Sequence, residues 1–167
     1  EGQWQHWSLN QLVGKDVHGA TLGIVGMGRI GAAIAARAAG FGMNVLYHNR
    51  SRLSPELEAH ANHAQYVSRE ELLRTADHVV LVLPYSAAVH HIIGAAELAL
   101  MKPSAILVNI ARGGIVDEHA LAAALRSGQP PALRRAPRGF KLHIATLSRA
   151  LPRVLCDLTC DYSCCCI

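Results

Sequence analysis

The sequence predicts a doubly wound α/β fold built on a parallel sheet and incomplete toward its C-terminus. Three observations predict it. Short apolar runs alternate with helical segments from Thr21 to Ser127. The first apolar run ends in Gly26-x-Gly28-x-x-Gly31, and an Ala-rich segment with helical character follows at once. A later run, His78–Leu83, is apolar without interruption, as in a strand buried on both faces of a parallel sheet. Together these are the marks of a Rossmann-type sheet, with its first strands in the order 3-2-1-4-5.

Composition narrows the function. Apolar residues make up 51% of the 167, so the chain is globular and not disordered. No apolar run reaches the length of a membrane span, and Glu1-Gly2-Gln3-Trp4 is not the start of a signal peptide, so a cytoplasmic protein is expected. Residues 1–128 hold ten Lys/Arg and ten Asp/Glu, whereas residues 129–167 hold six Lys/Arg and two Asp. The basic excess therefore belongs to the last segment and argues against a nucleic-acid binder. All five cysteines lie in that segment as well, so the rest of the chain has no disulfide framework and no thiolate metal site. The predicted organisation is a lead-in arm (1–17), a dinucleotide-binding domain (18–128) and an aberrant basic, Cys-rich tail (129–167), a candidate for disorder.

In the lead-in, Trp4 and Trp7 lie three apart, which suits one face of a short helix or a packed arm. Gly14–Gly19 is a turn feeding the first strand. Thr21–Val25 is that strand, and Arg29–Gly40 the helix after it. Gly26 lets the chain turn, Gly28 lets a pyrophosphate approach the backbone, and Gly31 lets helix and strand pack closely. The head of the helix, at Arg29 and Ile30, offers free N–H groups and a positive dipole end to phosphates.

Asn44–His48 is the second strand. An Asp or Glu at its end would hold both ribose hydroxyls of NAD. Instead the chain reads His48-Asn49-Arg50-Ser51-Arg52. Arg50 and Arg52 could bind a 2′-phosphate, with help from Asn49 and Ser51. The expected cofactor is NADP(H), with NAD(H) as the alternative. Pro55–Ala61 reads as a short helix, Ala64–Val67 as a third strand, and Ser68-x-x-Glu71 as a capping box for the helix Arg69–Thr75. The strand His78–Leu83 ends at Pro84, in a loop where ligands sit in such sheets. Val89–Ile93 and Ala95–Met101 read as helical turns. Ala105–Asn109 is the next strand, and in a truncated sheet it would be an unprotected edge. Asp117 caps the helix Glu118–Ser127, with Gly128 as its stop. Arg112 lies just beyond a strand's carboxyl end, where a guanidinium can clamp a substrate carboxylate.

Three blocks carry a resemblance to a known family: Gly23–Gly31, Ala76–Pro84 and Met101–Glu118. They resemble the D-2-hydroxyacid dehydrogenases. With Tyr47-His48-Asn49-Arg50-Ser51 the chain is most similar to the glyoxylate/hydroxypyruvate and 2-ketogluconate reductase branch, from about Gly14 to Gly128. The resemblance implies reversible hydride transfer between NAD(P)H and a small 2-keto or 2-hydroxy acid. It implies that Arg29 and Ile30 meet the pyrophosphate, that Asn49, Arg50 and Ser51 meet the adenosine ribose end, and that Leu83 and Pro84 border the adenine and its ribose. Ile110 and Arg112 would lie near the nicotinamide, with Arg112 catalytic in holding the substrate. It also implies a homodimer.

After Gly128 the resemblance stops. The family's Ala-Gly-Leu-Asp-Val strand, its Phe-Glu-x-Glu-Pro segment with a Glu, and its Pro-His-Ile-Gly segment with a His do not occur among these residues. Leu142-His143-Ile144 is only a faint echo of the last. The cysteines lack Cys-x-x-Cys knuckles, so no metal site is expected. A shifted reading frame or a foreign joined end would explain the change. The expectation is an NAD(P)-binding domain of a 2-keto acid reductase that is inactive alone. The alternatives are a dinucleotide-binding or dimerisation module without catalysis, and a non-functional fragment.

Overall fold

The computed structural model describes residues 16–127. The tryptophans of the arm, Gly128, His143, the cysteines and the whole segment 129–167 lie outside the described residues.

Five strands form one sheet in the order β3-β2-β1-β4-β5, and every neighbouring pair is parallel. They are β1 (Thr21–Val25), β2 (Asn44–His48), β3 (Gln65–Tyr66), β4 (His78–Leu81) and β5 (Ile106–Asn109). The helices are α1 (Arg29–Ala38), α2 (Pro55–His60), α3 (Arg69–Thr75), α4 (Ala95–Leu100) and α5 (Glu118–Ser127). The predicted strand order is therefore the observed one. It follows from parallel strands that can only be joined by right-handed crossovers.

Two apolar clusters sandwich the sheet. On one face Leu22, Ile24, Val45 and Tyr47 pack with Ala35 and Ala38 of α1. On the other, Val25, Leu46, Val79, Leu81 and Leu107 pack with Leu72 and Leu73 of α3, Leu98 of α4 and Leu121 of α5. Helix ends are fixed as their residue types require. Pro55 sits in the first turn of α2. Ser68 Oγ accepts from Glu71 N–H at 3.1 Å. Asp117 accepts from the N–H groups of His119 and Ala120, both at 3.0 Å. Those backbone bonds, that of Ala120 foremost, hold its carboxyl below the ordinary carboxylate value.

Several local expectations differ from the structure: α1 stops at Ala38, short of the expected Gly40, and β3 covers only Gln65–Tyr66 of the expected Ala64–Val67. Val89–Ile93 is not a helical turn; a 3₁₀ turn covers Ala87–Val89 instead. Beyond it the backbone bonds to the loop after β5: His91 N–H donates to Gly114 O, Ile93 N–H to Ile115 O, and Asp117 N–H to Ile93 O. At His91 and Ile93 those long-range partners take the place of helical ones, while Ile92 N–H keeps a local bond to Val89 O. β4 ends at Leu81, short of the expected Leu83, because its ladder with β5 ends at the pair Leu81–Asn109. β4 is also not buried evenly on both faces. Val79 and Leu81 are buried against α3 and its neighbours, while His78 and Val80 are half-buried. Among the described residues no helix is long and apolar enough to cross a membrane.

Candidate functional site

Because all five strands run the same way, the loops after β1, β2, β4 and β5 share one edge of the sheet. Every residue expected to bind cofactor or substrate lies in one of those loops or in the first turn of α1. The chain builds outward from β1 through β2 to β3 and then crosses back to place β4 on the other side of β1, so the strand order reverses between β1 and β4, the point where ligands bind in such sheets.

The three glycines of the first loop have different reasons to be glycine. Gly26 has φ +105, and a Cβ there would collide with the carbonyl oxygen of Val82. A Cβ on Gly31 would lie 2.5 Å from Gly26 O and 3.3 Å from Ile24 Cγ2, so α1 could not approach β1 as it does. The fold itself requires both. Gly28 is extended backbone, and a Cβ there would meet nothing within 4 Å. No side chain caps α1 at that point, and no acidic residue occupies its first turn. The first N–H groups of a helix have no partner within it. Here they face space that the protein leaves open, and Arg29 beside them is exposed. Free N–H groups and the positive end of the helix dipole suit this cradle to an anionic group such as a diphosphate.

At the end of β2 the structure sorts residues that look alike in sequence. Asn49 does not present its amide outward. Its Oδ1 accepts from Met27 N–H at 2.7 Å and its Nδ2 donates to Met27 O at 3.4 Å, so the side chain ties the β2 loop to the glycine loop. Tyr66 Oη donates to Asn49 O at 3.2 Å. Arg52, expected beside a 2′-phosphate, is instead paired with Glu58: Nε and Nη2 each donate to one carboxylate oxygen at 2.9 Å. Two of its donors are thereby committed to a carboxylate, which makes it a weaker partner for a phosphate than an unpaired arginine. Arg50 and Ser51 are exposed, and among the described residues their side chains have no partner.

Glu58 also accepts from Tyr47 Oη at 2.6 Å, and that hydroxyl accepts from Leu53 N–H at 2.8 Å. Hydrogen bonds from Arg52, then from Tyr47, bring the Glu58 carboxyl down from 4.5 to about 2. Burial, then the bond to Glu58, raises the Tyr47 hydroxyl above its ordinary value. The folded chain therefore keeps Glu58 ionised where the unfolded chain would protonate it. Its stabilising contribution is complete above about pH 4.5 and is lost as pH falls toward 2. Urea unfolding between pH 6 and pH 2 checks this: the midpoint of the native chain should fall more steeply below pH 4.5 than that of Glu58→Gln.

The loops after β4 and β5 complete the edge. Leu83 is half-buried beside Gly26, and Pro84 and Ile110 are exposed. Ile30, Tyr85 and Ile110 put large apolar surface at this edge, at 62%, 51% and 44% exposure. Arg112 is exposed, and among the described residues its guanidinium bonds only from Nη1 to the neighbouring Ala111 O at 2.9 Å. The residue behind it was not foreseen. Asn109, 2% exposed, donates from Nδ2 to Arg112 O at 2.9 Å and accepts from Ala111 N–H at 3.0 Å. It fixes the backbone that presents the guanidinium. The available signal was a polar residue closing an apolar strand, Ile106-Leu107-Val108-Asn109. Among the described residues no cluster of three His, Cys, Asp or Glu could hold a metal ion.

Comparison with known proteins agrees with this geometry. Residues 1–133 match the D-isomer specific 2-hydroxyacid dehydrogenase NAD-binding domain, a span wider at both ends than Gly14–Gly128. A glyoxylate reductase of Thermococcus gammatolerans is 50% identical over 131 residues, 76% of this chain and 39% of that protein. Glyoxylate/hydroxypyruvate reductase B of Klebsiella pneumoniae is 50% identical over 129 residues, 77% of this chain and 39% of that protein. Among solved structures, the TT0316 protein of Thermus thermophilus aligns with a TM-score of 0.65 at 45% identity, over 75% of this chain and 38% of that one. The chain thus spans about two-fifths of the length of these curated relatives. With a parallel sheet, a glycine cradle and this match in hand, the chain belongs to the D-isomer specific 2-hydroxyacid dehydrogenase family, as its NAD-binding domain.

Proposed function

We propose that this domain serves a 2-keto acid reductase of glyoxylate or hydroxypyruvate type and takes NADPH in preference to NADH. The open cradle at Gly28 carries the reading, since nothing in the fold requires a glycine there. Gly26, Gly28, Arg29, Ile30 and Gly31 would hold the diphosphate. Arg50 and Ser51 would meet the 2′-phosphate, and Leu83 and Pro84 would border the adenine. Asn49 contributes by fixing the loop rather than by touching the ribose. Ile110 would line the nicotinamide end, and Arg112 would hold the substrate carboxylate by a bidentate contact. A bound nicotinamide would supply the hydride. Reduction also needs a proton for the keto oxygen, from a His held by a Glu. These 167 residues contain no segment of the family's Glu or His type, so by themselves they bind cofactor without turnover. A cytoplasmic setting and pairing into a homodimer belong to the same reading.

Fluorescence titration of the whole chain tests it. NADPH should bind, NADH should bind about tenfold more weakly, and Arg50→Ala should remove the difference, since a charge-assisted contact is worth about that factor. Failure to bind either nucleotide by a folded chain would overturn the proposal. Steady oxidation of NADPH with glyoxylate would overturn the part that denies turnover.

A further inference from the structure

We propose that Glu58 is a positioning residue for nucleotide selectivity: it holds Arg52 and Tyr47 so that Arg50 and Ser51 alone face the 2′-phosphate. The inference rests on the NADPH reading above and adds to it a division of labour between two arginines.

Helix α2 inverts the usual burial pattern. In α2, Leu57 is 54% exposed whereas Glu58 is 8% exposed. Apolar patterning would put Leu57 inside and the carboxylate outside. The inversion has a local cause. Glu58 meets the hydroxyl of Tyr47, a fully buried residue of β2, and the guanidinium of Arg52, which remains largely in solvent. Leu53 N–H then bonds to the same hydroxyl.

The consequence falls on the loop. Asn49 is fixed to Met27 and to Tyr66. Arg52 is fixed to Glu58, and Leu53 to Tyr47. Only Arg50 and Ser51 lie between the two fixed ends, at a bend in the chain. The loop is therefore stapled on both sides of the two residues whose side chains are free among the described residues. A long cation pair on a loose loop would recognise phosphate poorly, because ordering it opposes binding. One cation on a stapled loop loses less freedom. Glu58 also offsets the charge of Arg52, which limits nonselective attraction for any anion.

The test compares Kd for NADPH and NADH in the full chain and its variants, with thermal melts to confirm folding. Arg50→Ala tests the underlying reading, and Glu58→Gln tests the inference. Glu58→Gln should weaken NADPH by about tenfold and change NADH by less than about twofold. Arg52→Ala, at an exposed position, should do the same, and Arg52→Lys should restore part of the selectivity. The Arg52 pair keeps the test available should Glu58→Gln not fold. If Arg50→Ala lowers selectivity but Glu58→Gln and Arg52→Ala leave it unchanged, the positioning role falls and the NADPH reading stands. If Arg50→Ala changes nothing, both fall. If Glu58→Gln tightens NADPH, Arg52 is itself the phosphate ligand once released, and the inference is overturned. Equal weakening of both nucleotides would mean a merely structural role and would also overturn it.

Discussion

Gly28→Ala should leave the fold standing and raise the Kd for nicotinamide nucleotides about 10- to 100-fold, the worth of one charge-assisted N–H contact at about 1.5–3 kcal/mol. An added methyl at Gly28 meets no protein atom, so thermal stability should change by no more than about 1 kcal/mol, a small loss of the kind seen at helix caps. The methyl would instead occupy the approach to the first N–H groups of α1. Gly31→Ala should behave differently. There the added carbon lies 2.5 Å from the carbonyl oxygen of Gly26, a backbone atom that cannot swing aside. α1 must shift off β1, at about 1–3 kcal/mol or more, and binding should be lost along with stability. Urea denaturation and nucleotide titration on the same preparations separate the two cases. Native affinity in a folded Gly28→Ala chain would refute the phosphate cradle.

Leu72→Ala should destabilise the domain by about 2–5 kcal/mol, a large part of the margin of an ordinary domain. Leu72 is fully buried and sits over Gly23 of β1. A Cβ on Gly23 would lie 2.5 Å from Leu72 Cδ2 and 2.9 Å from Ala76 Cβ, so the two positions share one volume. Gly23→Ala alone should therefore cost about 1–3 kcal/mol through overpacking. The double variant should be more stable than the sum of the single losses implies, with a coupling of about 0.5–3 kcal/mol. Recovery should stop short of complete, because the contact with Ala76 remains. Strict additivity in urea unfolding midpoints would show that α3 and β1 do not interlock here.

Much of this was legible in the sequence, for physical reasons. Strand order follows from alternation and crossover handedness, and Gly26-x-Gly28-x-x-Gly31 reports a turn whose sterics are local. Arg50 and Arg52 were not separable, since two arginines in one loop look alike until a carboxylate from another element claims one. Glu58 was invisible because α2 inverts its own pattern, with Leu57 outside. Asn49 read as a ligand to the ribose, yet its amide meets Met27, a contact between residues 22 apart. Val89–Ile93 had helical spacing, but His91 and Ile93 within it bond to the loop after β5. In each case the deciding group sits on a different element, where a linear pattern has no information.

The Asn49 amide has a wider consequence. The last backbone bond between β1 and its neighbour runs from Gly26 N–H to His48 O at 3.0 Å. One residue further on, a side-chain amide offers its carbonyl and its NH₂ to Met27 much as a peptide group would. The ladder thus gains an extra rung after the two chains have begun to part. These bonds between the two loops exist without a guest, so forming them draws nothing from a guest's binding free energy.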